Sequence, residues 1–191
     1  MRRPSLIVMV KEPRPGRVKS RLGRRIGLTT AAWWYRHQVR RLLRELGDPR
    51  WSVVLAVSPD MQGVVSRVWP AHLPRIPQGQ GDLGLRMARV LAATPGPTVL
   101  IGSDIPGIRR HHIAAAFRAL GQNASVIGPA VDGGFWLVGL KHPTPFDKRL
   151  FRKVRWSHPE TLNDTRPTLP VPTATVAILR DVDEASDLRP D

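Results

Sequence analysis

Three short stretches, Ser5-Leu-Ile-Val-Met-Val10, Trp51-Ser-Val-Val-Leu-Ala-Val57 and Thr98-Val-Leu-Ile-Gly102, are almost continuously apolar, without a polar residue at every second position. A strand with one wet face alternates, whereas a strand covered on both faces does not, so these runs predict buried strands of a largely parallel sheet. Helix-period segments separate them. Leu28, Ala31, Tyr35, Val39, Leu42 and Leu46 recur at three and four residues and mark an amphipathic helix that Gly47 and Pro49 end. Met61 to Trp69 reads as a short helix, Leu83, Met87, Val90 and Leu91 as another with Asp82 as N-cap, and Arg110 to Leu120 as a further one. Ser125-Val-Ile-Gly128 and Phe135-Trp-Leu-Val-Gly139 are strand-like and joined through Val131-Asp-Gly-Gly134, whose Asp-Gly pair predicts a hairpin. A last strand is expected at Thr175 to Leu179, after a proline-rich surface connection from Arg166 to Pro172. The expected fold is α/β, a three-layer α/β/α sandwich whose mostly parallel sheet turns mixed late in the chain. At 191 residues and 41% hydrophobic, one domain spanning residues 1–191 is expected.

Composition narrows the chemistry. There is no cysteine, so thiol nucleophiles, disulfides and thiolate metal sites are excluded, and a metal would need oxygen or imidazole ligands. Mg²⁺ or Mn²⁺ is favoured on that ground. No apolar run reaches the length of a membrane span, and Leu6 to Val10 is too short for a secretory segment, so a soluble, cytoplasmic protein is expected. The net charge of +15 suits anionic partners, with nucleic acid as one reading, and Arg36, Arg40, Arg41 and Arg44 lie on or near one helix face. Only five of the thirty basic residues are Lys, and Arg and Pro are spread throughout, which a GC-rich coding bias also explains.

In α/β sheets, ligands sit beyond the carboxyl ends of the strands, which directs attention to the residues after Val10 and Ile101. The loop Lys11-Glu-Pro-Arg-Pro-Gly-Arg-Val-Lys-Ser-Arg21 places Gly16 among the cations Lys11, Lys19 and Arg21. Glycine lets backbone N–H groups approach an anion, lysine supplies a point charge and arginine a two-pronged donor, so the loop suits polyphosphate. A solvated basic loop accounts for the same residues. Asp104 follows directly on an apolar strand and is expected at the ligand-binding rim, as a metal ligand or as the cap of the helix after it. Asp181 and Asp183 are two apart and would share one face of a strand, either around a cation or simply as exposed acids. Asp132-Gly133-Gly134 serves a hairpin, a ligand contact, or both. Gly79-Gln-Gly-Asp-Leu-Gly84 matches GxGxxG, but Leu73-Pro-Arg-Ile-Pro77 before it has too many prolines for the central strand that a dinucleotide fingerprint needs. His111, His112 and His158 lack acid partners at diagnostic spacing and read as surface or capping residues.

Read together, these pieces resemble the DUF2064 family of glycosyltransferase-A-like proteins. The motifs that carry the resemblance are Lys11 to Leu22, Gln80 to Met87, Ile101-Gly-Ser-Asp-Ile-Pro106, Gly128 to Gly139, Val154-Arg-Trp-Ser157 and Asp181-Val-Asp183, in that order. The resemblance implies a Rossmann-like nucleotide-diphospho-sugar transferase (GT-A) fold, related to that of phospholactate guanylyltransferases. It further implies that Gly16, Lys19 and Arg21 cradle phosphates and that Asp104 holds a metal. Gly81, Asp82, Gly84 and Arg86 would lie beside the base and ribose, and Asp132, Gly133 and Gly134 would line the acceptor side with Trp136 nearby. The chain departs from the family pattern with Ser20 where Thr is common, His158 where Thr commonly follows Trp-Ser, and an unusually Arg-rich first helix.

The expected function is transfer of a nucleotidyl or glycosyl group from a nucleoside triphosphate or nucleotide-sugar to a small acceptor. Asp104 with an acid from Asp181 to Asp183 would hold the metal, and Lys19 and Arg21 would share the charge on the leaving phosphate. The alternatives are a basic nucleic-acid-binding module and a degenerate transferase that binds nucleotide without catalysis.

Overall fold

The computed structural model describes residues 3–144 and 149–180. The first apolar run forms β1 (Ser5–Lys11), and the basic loop after it closes into a short helix, α1 (Ser20–Ile26), followed by the long α2 (Leu28–Leu46). Then come β2 (Ser52–Ser58), α3 (Asp60–Val65), β3 (Arg75–Pro77), α4 (Leu83–Ala92), β4 (Thr98–Ile101), α5 (Arg110–Gln122), β5 (Ser125–Pro129), β6 (Phe135–Leu140), α6 (Thr161–Thr165) and β7 (Thr173–Thr175). The seven strands make one sheet in the order β3-β2-β1-β4-β6-β5-β7, in which only β6 runs antiparallel to its neighbours. This is the mostly parallel, partly mixed α/β sheet that the apolar runs predict.

Because successive strand residues point to opposite faces, β1 feeds two cores at once. Leu6, Val8 and Val10 pack with Tyr35, Val39 and Leu42 of α2 and Ile113 of α5, while Ile7 joins Met87, Val90 and Leu91 of α4, with Phe151 and Leu169, on the other face. The chain moves outward through β1, β2 and β3, then returns to lay β4 on the other side of β1. The carboxyl ends of β1 and β4 therefore flank a switch point, where the crevice of an open parallel sheet lies.

Four elements differ from the sequence expectation. The helix expected to reach Trp69 stops at Val65, because the Ser66 hydroxyl accepts from Val68 N (3.1 Å) and donates to Glu12 Oε1 (3.0 Å), turning the chain. β3 occupies the proline-flanked stretch; three residues at the sheet edge tolerate Pro77, where a central strand would not. The last strand is Thr173–Thr175 rather than Thr175 to Leu179, because its parallel pairing with β5 ends at Ile127 opposite Thr175; the chain resumes pairing at a bridge from Leu179 to Ala130. The stretch from Arg166 is not all surface, since Leu169 is buried. Asp181 and Asp183 lie outside the described residues. No described helix is long and apolar enough to cross a membrane.

Candidate functional site

Tyr35, on the buried face of α2, ties the two switch-point strands together. Its hydroxyl accepts from Lys11 N at the end of β1 (3.1 Å) and bonds Ser103 Oγ just after β4 (2.9 Å). Burial, and then the nearby Asp104 carboxylate, push the phenol well above its ordinary range, so it remains a neutral hydrogen-bonding group. Tyr35→Phe would strand a partly buried amide and the buried Ser103 hydroxyl. The expected cost is about 1–3 kcal/mol of stability, read by urea denaturation.

Above this strut lies a cavity of about 670 Å³, lined by the ends of β1 and β4, the loop into α1, the start of α4, the β5–β6 turn and the segment 156–161. Among the described residues its lining carries the cations Lys11, Arg17, Lys19, Arg21 and Arg86 but only two carboxylates, Asp104 and Asp132, so the enclosed field favours anions. Lys19 stands at the N-cap of α1 in the left-handed conformation (φ 46°, ψ 46°). Its Nζ lies 3.4 Å from Asp104 Oδ1; the lysine side chain is 5% exposed and the aspartate 55%. A non-glycine residue held with positive φ costs free energy that the surrounding structure must supply, and such residues gather at binding sites. Ser157, also on the cavity wall, has φ 54°.

The structure brings Lys11, Lys19, Arg21, Arg86, Asp104, Asp132, Gly134 and Trp136 to this one cavity; Gly16, Gly81, Asp82, Gly84 and Gly133 do not line it. Asp82 caps α4, accepting from Leu85 N at 2.8 Å. Gly84 is a packing position: a Cβ there would come within 2.8 Å of Phe151 Cβ and 2.9 Å of Trp156 Cζ2, so glycine lets α4 lie against the wall that carries Trp156. Gly133 (φ 86°) closes the β5–β6 turn against Pro159 and accepts from Leu162 N at 2.9 Å. Asp132 Oδ1 accepts from Gly134 N at 2.9 Å. Trp136 is 2% exposed, and its indole N–H donates to Ala177 O at 2.8 Å, which fixes the ring as a wall.

Several lining residues escaped the sequence reading. Buried Gln78 donates to Val10 O (3.2 Å) and Ala56 O (2.8 Å) and accepts from Arg86 Nη1 (3.3 Å), so it aims the arginine. Lone glutamines give no spacing signal. His158 lines the cavity, and its Nδ1 accepts from Glu160 N (3.1 Å), which leaves Nε2 as the protonated nitrogen of the neutral ring. His112 caps α5 through its Nδ1 at 3.1 Å from Arg109 N. A second cavity of about 330 Å³ adjoins the first, sharing Lys11, Arg17 and Arg86 and adding Arg14 and Gln62.

The segment bearing Trp156, Ser157 and His158 is pinned by Arg155, whose Nε and Nη2 each donate to Asp164 at 2.8 Å. Those bonds, and then the Arg155 backbone N–H, hold the Asp164 carboxyl down at about 2. A carboxyl depressed in the folded state stabilises above its unfolded value and loses that contribution as pH falls through its folded value. The stability difference between the native chain and Asp164→Asn is therefore expected to be full at neutral pH and to vanish between about pH 4 and about pH 2. Thermal unfolding of the pair across that range checks it.

The family model for uncharacterized proteins conserved in bacteria, DUF2064, matches residues 42–158. No curated protein matches the chain. Among solved structures, a provisionally assigned nucleotide-diphospho-sugar transferase from Desulfovibrio desulfuricans G20 is 29% identical, with a TM-score of 0.82 over 98% of this chain and 85% of that one. Rv0371c from Mycobacterium tuberculosis H37Rv, in complex with manganese, is 15% identical with a TM-score of 0.51 over 97% of this chain and 96% of its own. A CMP:2-keto-3-deoxy-manno-octonic acid synthetase complexed with CTP is 11% identical with a TM-score of 0.53 over 98% of this chain and 95% of its own. The last two likenesses are of fold alone.

Proposed function

Because the chain belongs to the DUF2064 family and has a nucleotide-diphospho-sugar transferase fold, we propose that its cavity takes the phosphates of a nucleoside triphosphate or nucleotide-sugar and that the protein transfers the nucleotidyl or glycosyl group to a small acceptor. One observation carries the reading: the nearly buried Lys19 ammonium faces Asp104 at the switch point, inside a cavity rich in cations. Lys19 and Arg21 bind and orient the phosphates, and Lys11, Arg17 and Arg86 extend the positive lining. Arg86, aimed by Gln78, stands beside the nucleoside, and Asp132 and His158 face the acceptor.

The residues fit a hard cation in a specific way. Among the described residues the cavity's acids are Asp104 and Asp132, and no three acids or histidines cluster. Asp104 would hold Mg²⁺ or Mn²⁺ by one carboxylate, with phosphate oxygens and water completing the shell, as Mg²⁺ often prefers. Asp181 or Asp183 is the further ligand in this proposal. The bound cation would neutralise charge growing on the leaving phosphate.

With a triphosphate donor, an acceptor oxygen forms the bond to the α-phosphorus and pyrophosphate departs with the electron pair of the broken P–O bond. With a nucleotide-sugar, the acceptor bonds to the anomeric carbon and the nucleoside diphosphate departs. In this reading the His158 Nε2–H would hydrogen-bond an anionic acceptor or its phosphate.

Thermal unfolding with a panel of nucleoside triphosphates and nucleotide-sugars tests the proposal. A ligand at a hundred times its Kd stabilises by about 2.7 kcal/mol. A shift with one ligand that chelator removes is expected; no shift with any donor would overturn the reading.

A further inference from the structure

The outward face of α2 carries a charge pattern that the cavity does not use. At about 100° per residue, the buried Tyr35, Val39, Leu42 and Leu46 centre on one side of the helix. Trp33, His37, Arg40 and Arg44 fall in a narrow stripe on the opposite side, flanked by Arg36 and Arg41. Trp33 is 59% exposed, its ring 5.0 Å from that of His37. On the adjoining α1, Arg24 and Arg25 are exposed as well.

Among the described residues, little nearby neutralises this face. Glu45 is the only acid in α1 and α2, and its carboxylate and carbonyl are taken by Arg110. Asp48, just beyond the helix, pairs with Arg50 and Arg110. None of the ion pairs among the described residues uses Arg36, Arg40, Arg41 or Arg44. Like charges at successive turns repel, so the stripe gains most from an external polyanion.

We propose that this face of α2 is a docking surface for single-stranded nucleic acid, separate from the cavity. From Trp33 to Arg44 the stripe runs about 16 Å, the length of roughly four or five nucleotides. Arginines track the phosphates and the exposed tryptophan offers a stacking platform for an unpaired base. An anionic membrane is the poorer fit, because an interfacial helix buries a broad apolar face in lipid and that face of α2 is already spent in the core. Inorganic polyphosphate would use the arginines but gain nothing from Trp33.

Fluorescence anisotropy with a labelled oligouridylate of about twelve nucleotides tests this on the full chain. With about four phosphates engaged, affinity is expected to fall about fifty-fold between 50 and 200 mM salt. Arg40→Glu/Arg44→Glu should weaken binding at least tenfold, and Trp33→Ala should weaken the oligonucleotide but not polyphosphate used as competitor. Arg67→Glu/Arg152→Glu, the same charge change on exposed residues outside α1 and α2, should leave binding within about twofold. All these side chains are exposed or partly so, and unchanged melting temperatures would verify folding. Absence of binding, equal loss in the control variant, indifference to Trp33, or capture by anionic vesicles in place of the oligonucleotide would each overturn the proposal.

Discussion

Lys19→Ala is expected to lower the affinity for a metal-bound nucleotide donor by about ten- to a hundredfold while leaving the melting temperature nearly unchanged. The affinity loss follows from removing one charge-assisted contact to phosphate, worth about 1.5–3 kcal/mol. The stability is spared for two reasons. Among its partners, Asp104 is 55% exposed, so water replaces the ammonium there cheaply and that ion pair contributes little. Replacing a lysine held at φ 46° by alanine also keeps the same left-handed backbone cost rather than adding one. Lys19→Arg should not restore binding fully, because a planar fork on a longer stem cannot occupy the place of a compact ammonium in a nearly buried position. Calorimetric titration of the variants beside the native chain reads both effects. Equal affinity in Lys19→Ala would remove the lysine from the phosphate site.

Gly133→Ala is expected to be strongly damaging in the β5–β6 turn, which borders the cavity through Asp132 and Gly134, at about 2–4 kcal/mol. Gly133 has φ 86°, and a Cβ there would run into the backbone carbonyl of Pro159. Gly96→Ala is the control, because Gly96 has φ 80° but nothing within 4 Å of a new Cβ. Gly96→Ala should cost only the conformational part, about 1 kcal/mol. The difference between the two variants measures the close approach. Because Pro159 stands between His158 and Thr161, Gly133→Ala should also weaken ligand binding, which Gly96→Ala should not. Denaturant midpoints and nucleotide titrations on both variants check the pair; equal costs would mean that the Pro159 contact yields readily.

How far the sequence reveals this molecule depends on how local each feature is. β1, β2 and β4 are legible because burial on both faces leaves continuous apolar runs, and α2 because its buried face recurs at every turn. α1 is hidden: Ser20–Ile26 holds only two large apolar residues, Leu22 and Ile26, among arginines, and its packing on α2 supplies what its own pattern lacks. Sheet order is not local at all, and the insertion of β6 between β4 and β5 reflects tertiary pairing.

The candidate site divides the same way. Lys11, Lys19 and Asp104 are legible because they follow strands that end at the switch point. Gly84 looks like a ligand glycine within a GxGxxG run, yet its lack of a side chain serves contact with Phe151 and Trp156. Gln78 and Tyr35 carry no motif, since each acts through partners far away in sequence: Val10 and Ala56 for the first, Lys11 and Ser103 for the second.

The central claim is that the cavity at the ends of β1 and β4 holds a metal-bound nucleotide donor through Lys19 and Asp104. Its most direct test is an equilibrium titration of nucleoside triphosphates and nucleotide-sugars into the native chain and Asp104→Asn, with Mg²⁺ and again with chelator. The account predicts saturable one-site binding of one donor class to the native chain, lost with chelator, and no metal-dependent component in Asp104→Asn. Binding that is the same in both proteins and indifferent to metal, or no binding of any donor, would contradict it.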